Sequence, residues 1–551
     1  MFSVVSLGGL GEIGLNMMVM KYGQDVLVVD AGLMFPDKNM PGVDIVIPDF
    51  SSLMEQRDNV RGIILTHGHE DHIGGIPFLL RELKVPVFGT NFTIEILREK
   101  LREHDLLEET VLNKVAPGDV TELGSFRVEY IHVNHSIIDG VGLAIKTPDG
   151  VIIHSGDFKV DHTPVHGKTT DLARFSQYGE EGVLALFSDS TNVEKEGFTP
   201  SETEVKNALE DLFLKSTGRL VVAVFASNIA RIQQIINLAE KYGRKVVLSG
   251  KSMRSNVRIA MVEGLLNMPE GIEINENVLS QHKDNQIAII TTGSQGEPMS
   301  VLARIARNTH KSIKVNRGDT IILSSRFIPG NEKAITAIIN RLYRLGAEVV
   351  YEKVSDIHTS GHAYKEELKL MLNLVKPSWF VPVHGEYRHL VKHAQMAVSQ
   401  VGISHDRCLL AENGDVISFQ DGKARISGKI RTGRILVDGK GGGDEDDLVL
   451  RDRRKISREG IVIVLLVVDK EAGRIVYGPG IVSRGFLFDD KVKSIEEDAK
   501  GIVFEVLEET SDLAQVDWEG FLVPEIKKRL KRFFYKVIER NPLILPMVIP
   551  V

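Results

Sequence analysis

Leu65-Thr66-His67-Gly68-His69-Glu70-Asp71-His72-Ile73-Gly74-Gly75 follows the apolar run Gly62-Ile63-Ile64-Leu65 and puts three imidazoles and the Asp71 carboxylate into one loop. An HxHxDH cluster at the end of a strand is the signature of a metal site, because neutral imidazole and carboxylate suit zinc and similar divalent ions. His67 and His69 alternate, so in extended backbone they face the same side and can hold one ion. Asp71 and His72 follow where the chain turns, aimed at a second ion nearby. The alternative is a surface loop that happens to be rich in histidine, and donors elsewhere in the chain decide between the two.

Such donors recur at strand ends. His135 follows the strand Val128 to Ile131, Asp157 follows Val151-Ile152-Ile153, and His384 follows Phe380-Val381-Pro382-Val383. Each is a polar residue just past an apolar run; singly each reads as a satisfied polar side chain, together with the loop as a ligand set. Upstream, Val26-Leu27-Val28-Val29-Asp30 ends another apolar strand on a carboxylate, delivering a polar group to a sheet edge. The glycine-rich Gly8-Gly9-Leu10-Gly11-Glu12-Ile13-Gly14 invites a dinucleotide reading, but the segment after it reads as a strand rather than a phosphate-facing helix.

Farther out, the chain divides by rhythm. Residues 1–198 read as a sheet-rich domain whose strand ends carry the donors. From Thr199 to Tyr351 strands and helices alternate, beginning with the helix cap Ser201-Glu202-Thr203-Glu204, so a parallel α/β domain is inserted over 199–351. The histidine-rich return over 352–438 rejoins the first domain. Residues 439–450, with Gly441-Gly442-Gly443-Asp444-Glu445-Asp446-Asp447, read as a linker. A small α/β domain over 451–551 includes a basic helix near Val523 to Glu539 and a docked C-terminal tail.

Composition bounds the rest. The 551 residues are 43% hydrophobic and 26% charged, ordinary for a globular protein of several domains. Cys408 is the only cysteine, which excludes an internal disulfide framework and fits a reducing compartment; it reads as a buried strand residue. No secretory leader or membrane-length apolar run is recognisable, so the expected location is the cytoplasm, with no membrane partner. The net charge of -8 counts modestly against a nucleic-acid partner without excluding one, since a groove can be basic on an acidic protein.

These motifs resemble the metallo-β-lactamase superfamily and, within it, the β-CASP nucleases of the ribonuclease J family. Ser188-Asp189-Ser190-Thr191-Asn192 is similar to that family's first β-CASP motif, His358-Thr359-Ser360-Gly361-His362 to the second, and Val383-His384-Gly385-Glu386 to the third. The likeness spans essentially the whole chain. It implies an αββα metallo-β-lactamase sandwich with an inserted β-CASP domain and a small C-terminal dimerisation domain. It also implies two divalent ions per subunit, zinc or else manganese, with His67, His69 and His135 on one, Asp71, His72 and His384 on the other, and Asp157 bridging. Asp30 would orient the histidine ligands, while Asp71, Asp189 and His362 would be catalytic, His362 giving a proton to the leaving oxygen.

The segment His358 to His362 with Ser227 and Asn228 resembles a pocket for a 5′-monophosphate; Ser227 and Asn228 equally suit a helix cap. Asp44 and Asp438 match a structural divalent-ion site of some relatives, and ordinary turn carboxylates are the competing explanation. Two departures stand out: Ile137-Ile138-Asp139 replaces Ile-Pro-Asp, and Ala230 stands where a histidine or aromatic residue often follows Ser-Asn.

The implied activity is 5′-to-3′ exonuclease, with endonuclease, on single-stranded RNA in RNA decay and rRNA or mRNA maturation. Implied partners are a second copy of the chain in a homodimer or homotetramer, and an RNA helicase or the ribosome. A DNA-acting β-CASP nuclease would carry valine at His384, a β-lactamase or thioester hydrolase would lack the insertion, and a non-catalytic RNA-binding scaffold would not need the intact donors.

Overall fold

In the computed structural model the strand Val60–Ile64, which leads into the histidine loop, lies inside an eight-stranded sheet between Asp25–Val29 and Val87–Thr90, parallel to both. The structure describes residues 2–37, 39–165, 167–297, 299–325, 327, 331–352, 356–439, 441–442, 447–469, 472–485, 492–510 and 517–551. A second sheet of six strands runs in the order Trp379–Val383, Ala185–Asp189, Gly150–His154, Val141–Thr147, Phe126–His132, Val120–Leu123.

The period-2 pattern of these strands explains the layers. Val29 and Ile64 of the first sheet meet Val128, Ile145 and Phe187 of the second in a common core. Their sequence neighbours Val28 and Ile63 point the other way, against Leu79 and Leu97 of the helices Ile76–Glu82 and Asn91–Glu103. On the far side Ile153 and Leu186 pack against Phe175 and Leu372 of the helices Leu172–Glu181 and Lys365–Val375. The result is the αββα sandwich. Its last sheet strands arrive late in the sequence: Trp379–Val383 pairs in parallel with Ala185–Asp189, and Asp415–Gln420 pairs antiparallel with Phe2–Gly8.

Between these segments lies an all-parallel sheet in the order Lys245–Ser249, Ile287–Thr291, Leu220–Ala223, Thr320–Leu323, Glu348–Val350. It is apolar on both faces: Leu220 and Val222 enter one core, Val221 and Ala223 another. The first strand of this sheet lies between two later ones, and a crevice opens at the carboxyl end of such a strand. Ser227 and Asn228 sit there.

A buried charge cluster fastens the insertion. Arg231, fully buried, donates from Nη2 to Glu202 Oε2 (2.6 Å) and from Nη1 to Ser324 Oγ (2.6 Å) and the Ile357 carbonyl (2.9 Å). Lys159 Nζ, also buried, lies 3.5 Å from Glu202 and 3.4 Å from Asp161. Burial alone would raise the Glu202 carboxyl, but Arg231 and Lys159 outweigh it and hold it at about 2. The stability that Glu202 supplies is therefore full above the ordinary glutamate value and lost as pH falls toward 2. Glu202→Ala, which strands a buried guanidinium, is expected to destabilise the chain by about 3 kcal/mol or more, read as a loss in the denaturation midpoint.

Residues 1–34 and 47–434 form one compact unit; Phe35–Val46 with Ile435–Val551 form a second. In the second, the strands Arg474–Arg484, Ile461–Asp469 and Leu543–Pro550 make a sheet whose buried side meets the helices Val492–Glu508 and Val523–Ile538. The segment expected to be a docked tail is thus an edge strand, parallel to Ile461–Asp469. Proline is compatible with an edge position, which leaves one side of the backbone unpaired.

The stretch expected to be a linker already contains the start of the helix Asp447–Glu459; Lys440 and residues 443–446 lie outside the described residues. Cys408 is half-buried and joins Phe380 through an isolated bridge rather than a strand, and burial pushes its thiol up to about 11. No helix among the described residues is long and apolar enough to cross a membrane.

Candidate metal centre

The loop after Val60–Ile64 turns at once into the short helix Glu70–Ile73, so His67 and His69 stay on the extended stretch while Asp71 and His72 ride the helical turn. His135 comes from the end of Phe126–His132, Asp157 from the end of Gly150–His154, and His384 from the end of Trp379–Val383. Four strand ends thereby deliver seven donors to one place.

The donors fall into two groups. His67 Nε2 and His135 Nε2 each lie 3.1 Å from His69 Nδ1. That spacing is close to the roughly 3.3 Å edge of a tetrahedron of nitrogens at about 2.0–2.1 Å from a central ion. The second group is Asp71, His72, Asp157 and His384. Asp157 Oδ2 is 3.2 Å from both His72 Nε2 and His384 Nε2, and also 3.7 Å from His67 and 3.9 Å from His135. One carboxylate oxygen faces both groups. Asp71 Oδ2 stands 3.7 Å from His72 and 3.9 Å from His384.

The far side of each ring fixes which nitrogen faces inward. His72 Nδ1 bonds Asp30 Oδ2 (2.7 Å), and Asp30 also accepts from the amide (2.8 Å) and hydroxyl (2.7 Å) of Thr66. His135 Nδ1 donates to the Gly361 carbonyl (2.7 Å). A Cβ at position 361 would fall 2.7 Å from that same nitrogen, so only glycine lets the segment come so close. His384 Nδ1 donates to Asn16 Oδ1 (2.8 Å), and the Asn16 amide nitrogen lies 3.0 Å from the Asp71 carbonyl. Asn16 is the residue sequence reasoning did not single out; its place at the end of the glycine-rich turn was the available signal.

Electrostatics separates the groups. Burial drives His67 and His69 well below the usual imidazole value and His135 down to about 3, helped by neighbouring imidazoles, so their lone pairs are open to a cation. Burial acts the same way on His72 and His384, but Asp157 outweighs it, raising His72 strongly and His384 to about 9. These two imidazoles in turn hold the buried Asp157 well below the carboxylate range. The site attracts positive charge whether or not protons supply it. Its nitrogen-and-oxygen donor set and spacing fit divalent metal ions.

Beside the donors, His362 Nδ1 bonds Asp189 Oδ2 at 2.8 Å and stands 4.0 Å from Asp157. Asn192 ties this segment down, donating to Ser360 Oγ (2.7 Å) and the His362 carbonyl (3.1 Å). Thr359 is buried with its hydroxyl on the Pro200 carbonyl. His358, one residue past the Ile357 carbonyl that Arg231 holds, has a buried Nδ1 without a hydrogen-bond partner; burial and Arg231 push this ring down to about 3.

Asn228 Oδ1 accepts from the Arg231 amide, so it caps Ile229–Lys241, and Ser227 is half-buried beside it. In the second unit Asp44 accepts from the Gly439 amide and Asp438 pairs with Arg453; neither joins a group of metal-type donors among the described residues.

Comparison with known proteins agrees with this architecture. Residues 41–173 match a beta-lactamase superfamily domain, 217–342 the beta-CASP domain of ribonuclease J, 346–407 a Zn-dependent metallo-hydrolase RNA specificity domain, and 448–551 the ribonuclease J C-terminal domain. The chain is 40% identical to ribonuclease J2 of Bacillus subtilis over 548 residues, covering 100% of this chain and 98% of that one. It is 41% identical to ribonuclease J of Thermus thermophilus over 555 residues, covering 99% and 95%. A solved structure from Enterococcus faecalis, of unknown function, shares the fold with a TM-score of 0.52 at 18% identity, covering 76% of this chain and 99% of that one.

Proposed function

Because the chain belongs to the ribonuclease J family of metal-dependent ribonucleases, we propose that it degrades single-stranded RNA from the 5′ end, releasing mononucleotides from 5′-monophosphorylated ends, and also cuts internally. The observation that carries this reading is the single Asp157 oxygen facing two donor groups, beside a segment that ends in the Asp189–His362 pair. His67, His69 and His135 would hold one ion, Asp71, His72 and His384 the other, with Asp157 between them; zinc is our first choice and manganese the second. When bound, such a pair supplies Lewis-acid polarisation of the phosphoryl group and a nucleophile at neutral pH.

The chain's own residues do the remainder. Asp30, Asn16 and the Gly361 carbonyl fix the orientation of His72, His384 and His135. His362, which Asp189 at 2.8 Å pushes above the ordinary imidazole value, is placed to give a proton to the leaving oxygen. Burial and Arg231 keep His358 neutral, and its unpartnered buried Nδ1 together with the segment 358–362, Ser227 and Asn228 suits the end of an RNA carrying a terminal phosphate.

On this reading 1–198 with 352–438 is the hydrolase body, except that Phe35–Val46 and the chain from Ile435 pack in the second compact unit; 199–351 is the insertion and 451–551 an oligomerising module. Leu545 and Met547, 43% and 44% exposed on the open face of the last sheet, support association with a second copy. The setting we infer is cytoplasmic RNA decay and maturation, with a helicase or the ribosome as associated machinery.

The test compares 5′-monophosphate, 5′-hydroxyl and 5′-triphosphate forms of one end-labelled RNA, and the matching DNA, with added zinc or manganese. Mononucleotides are expected to appear at least tenfold faster from the monophosphate RNA. Equal rates from all three ends would overturn the terminal-phosphate reading, and faster cutting of DNA would overturn RNA as substrate.

A further inference from the structure

The helix Val523–Ile538 has two faces with different environments. Ile526, Leu530 and Phe534 are buried in the core of its unit. The remainder is strongly basic: sixteen residues carry six cations and one carboxylate, in a chain whose net charge is -8. Glu525 engages Lys528 and Arg529, and Glu509 engages Arg529 again. Lys527, Lys531, Arg532 and Lys536 are exposed, and among the described residues no carboxylate pairs with them. Of the acids on Val492–Glu508, Glu496 bonds Ser483 and Glu497 pairs with Lys500, while no ion pair joins Asp498, Glu505 or Glu508 to these cations among the described residues. Tyr535, 67% exposed, stands among these cations about one turn from Lys531 and Arg532.

We propose that this face is a second RNA-binding surface, on which Lys527, Lys531 and Arg532 contact backbone phosphates and the Tyr535 ring stacks on a base. Unpaired cations interleaved with an exposed aromatic ring are the combination that holds single-stranded nucleic acid without reading its sequence. An anionic membrane is a poorer fit, because an interfacial helix needs a free apolar face to insert and this one spends its apolar face on the core. The surface rests on RNA being the substrate, but it lies in a different compact unit from the histidine cluster, so it can be tested with catalysis switched off.

The full-length chain is titrated with a 30-nucleotide single-stranded RNA in excess chelator at several salt concentrations. Three neutralised cations at about 0.7 each are expected to lower the slope of log affinity against log salt by about 2 in Lys527→Gln/Lys531→Gln/Arg532→Gln. Tyr535→Ala alone is expected to weaken binding about tenfold with the slope kept. Arg407→Gln/Lys423→Gln/Arg425→Gln, which removes three exposed cations elsewhere, is expected to leave the slope as it was. An unchanged slope in the first variant overturns the proposal, as does an equal drop in the third. Loss of binding to phosphatidylserine vesicles, with RNA binding intact, would assign the face to a lipid surface instead. A chain that cleaves no RNA yet shows the expected change in slope would overturn the catalytic reading while supporting this one.

Discussion

Asp157→Asn is expected to cut kcat/KM on 5′-monophosphorylated RNA by about 10³-fold or more, the scale of removing a preorganised group that acts on developing charge. The amide has nearly the shape of the carboxylate, so packing is kept while the charge is lost. That charge sits 3.2 Å from both His72 and His384 and within 4 Å of His67 and His135. Without it, His72 and His384 lose the main attraction that raises them, and each donor group loses a shared anionic ligand. Metal content, measured by mass spectrometry after gel filtration, is expected to fall along with the rate. A variant with wild-type metal content and a rate within tenfold of normal would remove Asp157 from the site. The same collapse is expected when the wild-type chain is stripped with chelator, with recovery on adding back zinc or manganese.

His362→Gln is expected to lower kcat by about 10²- to 10³-fold, the usual contribution of a positioned acid, with a much smaller change in KM. The pH profile gives the sharper reading. Burial alone would push the His362 ring down, but Asp189 at 2.8 Å outweighs it and pushes the ring above the ordinary imidazole value. A proton donor must be charged to act, so activity is lost as pH rises through the folded value of this ring. Asp189→Asn removes the attraction that raises it, and the basic limb of kcat should therefore move to lower pH. A basic limb in the same place in Asp189→Asn, with kcat reduced, would leave Asp189 and His362 as scaffolding rather than acid and orienting partner.

The residues that were legible in sequence share a property: their chemistry is stated by residue type and local spacing. His67, His69, Asp71 and His72 lie within six positions, and the alternation of Val28 with Val29 and of Ile63 with Ile64 already assigns neighbouring side chains to opposite faces. His135, Asp157 and His384 were legible once each was read as the residue after an apolar run. Asn16 was not, because an asparagine carries no ligand signature and its partner His384 is 368 positions away.

The C-terminal strand was misread for a related reason. It reads in sequence as a docked tail interrupted by proline, and only the pairing with Ile461–Asp469 shows that the sheet accepts it at its edge. The two faces of Val523–Ile538 were equally hidden, since a basic helix in sequence does not reveal which of its cations a neighbouring acid neutralises.

The contact between His135 and the Gly361 carbonyl ties two events together. One imidazole ring is gripped at its outer nitrogen by the segment 358–362 while its inner nitrogen faces His69 and Asp157, so on the proposed reading a shift in that segment alters how well the ring can donate to a cation. By thermodynamic reciprocity, any molecule whose docking tightens the segment around the ring must strengthen cation affinity by the same factor by which the cation strengthens docking. Cation titrations run with and without a saturating mononucleotide would then give different midpoints, and the ratio of those midpoints measures the coupling directly.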